Sequence, residues 1–436
     1  MIEKLMITDQ DTIEQIPESS ASNTLKFFDT EVFKSSKDSI LCGVVGTFMF
    51  YPLIFDLFGI VYGLIIIVLV LVINWTSNYG YLYGSKIAQS DDYIEIANKV
   101  NGTVVKKITL VTFFIEYFVI FILNYLFAYD ISNFAWKFWT NNVSQDSPDY
   151  EITGHTYLFR AIVFLAGYVV AQPFCYVSDV NKLTFLNTIF VGVMLFFILL
   201  IIIELIFFTE RSKNSIDVLD NFIARKEWTS SSLLIIVFAL FYFQTIFLAT
   251  KSFFTSNSFN KAKKSLTITH VVFLIIFLVF ALLVYTRVEI SYNSLNILTE
   301  PNILKYLPPA LLKFHLIMLF ALSLLFLLYC SYFSVCLRNY ITSKISANIN
   351  KYILNSVPLF LAGLVSILFT NVTKFITIEG PITTFYNGFA LPLSMLIILY
   401  KKSILKRIGV IILFTIMLFV AVISFVTSIY NFANQF

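Results

Sequence analysis

Long apolar runs, repeated along almost the whole chain, most constrain what this sequence can fold into. A helix needs about 20 apolar residues to cross the hydrocarbon of a bilayer, and lipid satisfies none of its backbone groups. Runs of that kind fall at roughly 39–58, 60–85, 107–129, 157–177, 184–208, 231–254, 265–286, 309–334, 352–370, 374–399 and 406–430 of the 436 residues. They predict an all-α polytopic membrane protein with eleven transmembrane helices. The first two runs are nearly continuous, separated mainly by Asp56 and Gly59, and 157–177 holds Arg160 and Pro173 near its ends. The composition is 58% hydrophobic and 13% charged, about half the charged fraction of a soluble domain. This excludes a soluble globular protein, whose outer face needs polar side chains, and a disordered chain. A net charge of +4 is too small for phosphate-backbone binding, so no nucleic-acid partner is expected. Cys42, Cys175, Cys330 and Cys336 all lie in apolar runs and form no CxxC motif, which excludes a secreted disulfide scaffold. His155, His270 and His315 lie near span ends, too scattered for a metal cluster. The 48 phenylalanines reflect a compositional bias, so single aromatic residues carry little weight.

Residues 1–38 read as a polar tail without a secretory signal, followed by a transmembrane domain over 39–436. With the N-terminus cytoplasmic, the inner segments hold twenty of the thirty basic residues, including Lys106, Lys107, Lys261, Lys263, Lys264 and the cluster Lys401, Lys402, Lys406, Arg407. An odd span count then places the C-terminus outside or in a lumen. The sequons Asn142-Val143-Ser144 and Asn371-Val372-Thr373 fall on the outer side, and Asn101-Gly102-Thr103 on the inner.

Glycine and proline are unevenly spread. The first two runs hold Gly43, Gly46, Pro52, Gly59 and Gly63, the tenth holds Gly380, Pro381, Gly388 and Pro392, and none occurs between Gly192 and Pro301. Such residues permit broken helices, which expose peptide groups to ligands, or close packing through small side chains. Packing accounts for Gly59 and Gly63; Gly43-x-x-Gly46 followed by Pro52 predicts a break in the first span.

Several spacings resemble the amino acid/auxin permease family of vacuolar and plasma-membrane amino acid transporters. They are Pro52-x6-Gly59-x3-Gly63, Tyr93-x8-Gly102, Phe238-Ala239, Arg338 after the eighth run, and Gly380-x10-Leu391-Pro392. There are departures. Val45 and Thr47 stand where the family has Gly-x-Gly, Phe243 stands at a common histidine, and Ser331 and Cys336 stand at two prolines. The resemblance implies a LeuT-like five-plus-five inverted repeat, with repeat one at about 39–208, repeat two at about 231–399 and an extra helix at about 406–430. It also implies a multi-pass protein of the plasma membrane or of the vacuole or lysosome.

A broken first helix would offer free amides at Val45, Gly46 and Thr47 to a substrate carboxylate, with Phe48 lining the pocket. Carbonyls near Gly43, Phe238 and Ala239 would meet the ammonium group, and Gln244 and Thr245 are further substrate contacts or interhelix bonds. A break in the sixth span rests on the resemblance alone. Glu116 and Glu379 are candidate proton acceptors, because acids within spans are expensive, with a structural acid as the alternative. Asp56 and Glu204 are expected to be wetted. Ser331 and Ser334 are candidate sodium-binding hydroxyls, unless they satisfy carbonyls of their own helix. Arg338 and the basic residues of 401–407 read as topology anchors. The expected function is secondary active transport of an amino acid, neutral on the abundance of aromatics, by alternating access. The expected coupling ion is a proton or else sodium, and the expected partners are the substrate and the bilayer, with no bound cofactor. The alternatives are a non-transporting nutrient sensor or a polytopic acyl- or glycosyltransferase. The transferase would have to use Asp217 and Asp220.

Overall fold

The computed structural model describes residues 51–90, 92–140, 154–178, 180–208, 259–288, 301–304, 307–344, 350–368, 375 and 378–433. Helices dominate them, and there is no strand among the described residues. Helix α1, Tyr51–Phe58, stops at Gly59, whose φ of 81° favours glycine, and α2, Ile60–Ala88, starts immediately after. A Cβ on Gly63 would lie 2.5 Å from the Phe55 ring, so the two helices also pack closely there. Short α3, Tyr93–Asn101, is capped by Asp92, whose carboxylate accepts from the Ile94 amide at 3.0 Å. It ends at Gly102, φ 96°, and α4, Thr103–Trp139, follows.

The remaining helices are α5, Gly154–Cys175, α6, Thr184–Phe207, α7, Phe259–Arg287, the single turn α8, Pro301–Leu304, α9, Pro309–Lys344, and α10, Lys351–Leu368. A 3₁₀ turn at Val180–Leu183 precedes α6. The tenth run is π-helical over Gly380–Thr384 and Tyr386–Ala390 and continues as α11, Leu391–Leu399; α12 spans Ile404–Ala433.

Eight of these helices are long and apolar enough to cross a membrane, with Gly380–Leu399 counted as one. The protein is therefore an integral, multi-pass, all-helical membrane protein. The run 352–370 forms the shorter α10, 39–58 enters the described residues only as α1, and 231–254 lies outside them. Apolar side chains such as Val72, Leu199, Ile275 and Phe419 are exposed, as a lipid-facing surface requires.

The helices fall into two groups. The 37-residue α4 and 36-residue α9 pack most extensively against each other, and α5 and α10 each pack on both. At this interface the Phe127 and Phe326 rings stack at 5.2 Å, and the Ser323 hydroxyl donates to the Ala128 carbonyl at 2.8 Å. The second group is α1, α2 and α7. Helix α6 lies against α9 and α7, while α11 lies against α2.

Candidate functional site

Two prolines set the backbone of residues 378–399. The Phe385 amide reaches five residues back to the Gly380 carbonyl, and the Leu391 amide reaches five back to Tyr386, the bonding pattern of a π-helix. Because the Leu391 amide is used this way, the Asn387 carbonyl loses its helical donor. Pro392 has no N–H, so the Gly388 carbonyl loses its donor too. Side chains from other helices take both places: the Tyr93 hydroxyl of α3 donates to the Asn387 carbonyl and the Ser77 hydroxyl of α2 to the Gly388 carbonyl. Tyr93 lies outside the membrane spans. Burial, aided by Tyr81, Tyr386 and Glu116, pushes its hydroxyl well above the usual tyrosine range, so it remains a donor at ordinary pH.

One face of α4 meets this interrupted helix through paired polar side chains. Thr109 and the Tyr386 hydroxyl lie 3.2 Å apart, and the Thr112 hydroxyl donates to Asn387 Oδ1 at 2.9 Å. From the last residue of α3, Asn101 Nδ2 donates to Ser394 Oγ at 2.8 Å. The row leads to two carboxyl groups. The Thr384 hydroxyl lies 3.1 Å from Glu116 Oε1 and 3.2 Å from Glu379 Oε1, and the Thr383 hydroxyl donates to Glu379. A hydroxyl has one hydrogen to donate, so Thr384 can serve only one of the two carboxylates at a time. Glu116 is 2% exposed and Glu379 8%. The arrangement can pass or hold a proton, or hold a small cation among carboxylate and hydroxyl oxygens. Asn387 Nδ2 and Asn78 Nδ2 are buried donors without a hydrogen-bond partner among the described residues.

Glu116 and Glu379 are thus brought together, although the sequence offers them only as separate candidates. Thr383, Thr384, Thr112, Asn387 and Ser77 were not foreseen. One signal was available: Thr109, Thr112 and Glu116 are spaced three and four apart, on one helical face.

Ser331 and Ser334 are buried, and both hydroxyls are occupied by carbonyls. Ser331 donates to Leu328 of its own helix at 2.6 Å, and Ser334 to Asn355 of α10 at 3.3 Å. Arg338 is a buried side chain instead of an interfacial anchor. Its guanidinium donates to the Cys175 and Val177 carbonyls at 2.8 and 2.5 Å. The expectation of a wetted Glu204 is also corrected. Its residue is 0% exposed, because α6, which carries it, packs on α9, and α9 supplies His315 as its partner, 2.8 Å away. No metal-ligating group of three or more side chains occurs among the described residues. The substrate candidates Gly43, Val45, Gly46, Thr47, Phe48, Phe238, Ala239, Gln244 and Thr245 lie outside those residues, as do Asp217 and Asp220.

No protein-family model matches this chain, and no curated protein does. Among solved structures, the chain is similar to a substrate-bound, outward-open state of a Na+-coupled sialic acid symporter. The identity is 12% and the TM-score 0.40, over 92% of this chain and 97% of the other. By its own helices the chain is an all-helical, multi-pass membrane protein with a buried carboxyl pair beside an interrupted span.

Proposed function

We propose that the protein is a secondary active transporter, that its substrate is an amino acid, and that transport is coupled to protons through Glu116, Thr384 and Glu379. The carrying observation is the single Thr384 hydroxyl within reach of both buried carboxyl groups. Two like charges so placed repel, and a low-dielectric surround makes the repulsion strong. A proton shared by the pair removes the repulsion. Loading and unloading it through the adjoining π-helical interruption links protonation to the position of that span.

The helix contacts support alternating access by a five-plus-five repeat. If spans one to five correspond to spans six to ten, α4 exchanges with α9 and α5 with α10. The contacts α4–α9 and α5–α10 map onto themselves, while α5–α9 maps onto α4–α10. In this reading the α4–α9 group is the scaffold against which spans one and six rock. The amino acid class rests on the family resemblance.

The test is uptake of radiolabelled amino acids into proteoliposomes across an imposed pH gradient, with sodium or choline outside. An inward proton gradient should drive accumulation, and Glu116→Gln should remove the gradient dependence. Failure of every common amino acid with folded protein would remove the substrate class. Accumulation that follows sodium and ignores the pH gradient would remove the proton.

A further inference from the structure

We infer that Glu204 and His315 form a second proton-binding site, between α6 and α9. His315 Nδ1 lies 2.9 Å from Glu204 Oε1 and 2.8 Å from Oε2, so one ring nitrogen faces both carboxylate oxygens. Glu204 is 0% and His315 2% exposed. The imidazole and the Phe197 ring meet edge to face with centroids 4.8 Å apart, so the pair is enclosed partly by apolar surface. Glu204 lies one turn before the end of α6 and His315 two turns after the start of α9, which places the pair near one membrane face.

The chemistry admits one exchangeable proton. With neutral imidazole donating from Nδ1, the pair carries a charge of −1. A proton added at Nε2 gives imidazolium and carboxylate, and the net charge is zero. A buried net charge is costly in a low-dielectric site, so the loaded pair suits α6 packed on α9 better than the unloaded pair does. The unloaded pair favours access to water, and the proton leaves from Nε2. The other charged groups at this end of the packed elements are Asp130 and Lys137 of α4, Arg160 of α5, Arg287 of α7 and Lys313 of α9 itself. Arg160 is turned to Asp130, at 3.7 Å, and lies over the Tyr129 ring.

In the five-plus-five correspondence, the α6–α9 interface exchanges with the one between residues 378–399 and α4. The two buried titratable pairs therefore occupy exchangeable interfaces. A role for the second pair in coupling rests on the transporter reading; proton binding by the pair does not.

The test uses full-length protein with nitrogen-15-labelled histidine in lipid nanodiscs. The His315 signal is assigned by its loss in His315→Gln. The His315 nitrogen shifts should change with pH across the range in which the protein stays folded. Glu204→Gln should move the midpoint of that change and leave the His270 signal in place. A His315 signal constant over that range, in the unsubstituted protein alone, would overturn the site. So would a midpoint indifferent to Glu204→Gln. If Glu204→Gln does not fold, the carboxyl band of Glu204 in acid-minus-base infrared spectra, compared with His315→Gln, decides. A Glu204 band that changes with pH and is altered in His315→Gln supports the pair, and an unaltered band removes it. A titrating His315 in a protein that fails the uptake test leaves this site standing. An invariant His315 in a pH-driven transporter removes this site alone.

Discussion

Arg338 illustrates how a cation is held inside an apolar bundle. Its guanidinium reaches the carbonyls of Cys175 and Val177, at and just beyond the end of α5, and Asn355 Oδ1 of α10 at 3.4 Å. The last carbonyls of a helix have no intrahelical donor and carry the negative end of its dipole. A planar fork presents five donors in a fixed geometry, whereas a lysine ammonium has three on a flexible stem and must be ordered to meet the same carbonyls. Arg338→Lys should therefore destabilise the protein by about 1.5–3 kcal/mol, the value of hydrogen bonds to a charged donor, and Arg338→Met by more. Thermal unfolding in a fixed detergent measures this, and coincident melting curves would mean that the α5 carbonyls are satisfied by other means. The sequence shows only a basic residue after an apolar run. The carbonyl it serves lies 163 positions away, and His315 lies 111 positions from Glu204. Apolar periodicity reports that a residue is in a span, and it cannot report which distant side chain will neutralise it.

At the scale of elements, eight of the eleven expected spans were legible among the described residues, because hydrocarbon thickness fixes their length and composition. The glycine and proline cluster of the tenth run was legible as punctuation, and its π-helical form was not. That form depends on hydroxyls from α2 and α3 that take the freed carbonyls of Gly388 and Asn387. The same contact explains Gly80. A Cβ there would lie 2.5 Å from the Pro392 carbonyl oxygen, a backbone atom that cannot swing aside. Gly80→Ala should push α2 from α11 at about 1–3 kcal/mol, the usual cost of overpacking. Gly409→Ala is the control, since its Cβ would meet nothing within 4 Å. Melting temperatures of both variants check the contrast. Equal melting temperatures would mean that α2 and α11 separate freely.

At the scale of the whole molecule, close backbone approaches among the described residues are most numerous within the α4, α5, α9, α10 group and within the α1, α2, α7 group. The elements between them are α3, α6 and the interrupted span ending in α11. Both buried titratable pairs lie where one of these intermediate elements meets the first group: Glu379 against α4, and Glu204 against α9. Under the proposed transport, a change of charge at either pair would act on an element that joins the two groups, with the α4–α9 group as the frame. Spin labels test this on lipid-facing sites, in a background without the four native cysteines. Val111 of α4 and Leu324 of α9 report the scaffold, and Val72 of α2 and Ile275 of α7 report the second group. Between acid and alkaline pH, the Val111–Leu324 and Val72–Ile275 distance distributions should stay fixed. The Ile275–Leu324 distribution should shift or split, and Glu116→Gln combined with Glu204→Gln should hold it in one state. If the Val111–Leu324 distance itself moves with pH, α4 and α9 are not a rigid frame, and protonation must act by deforming the scaffold.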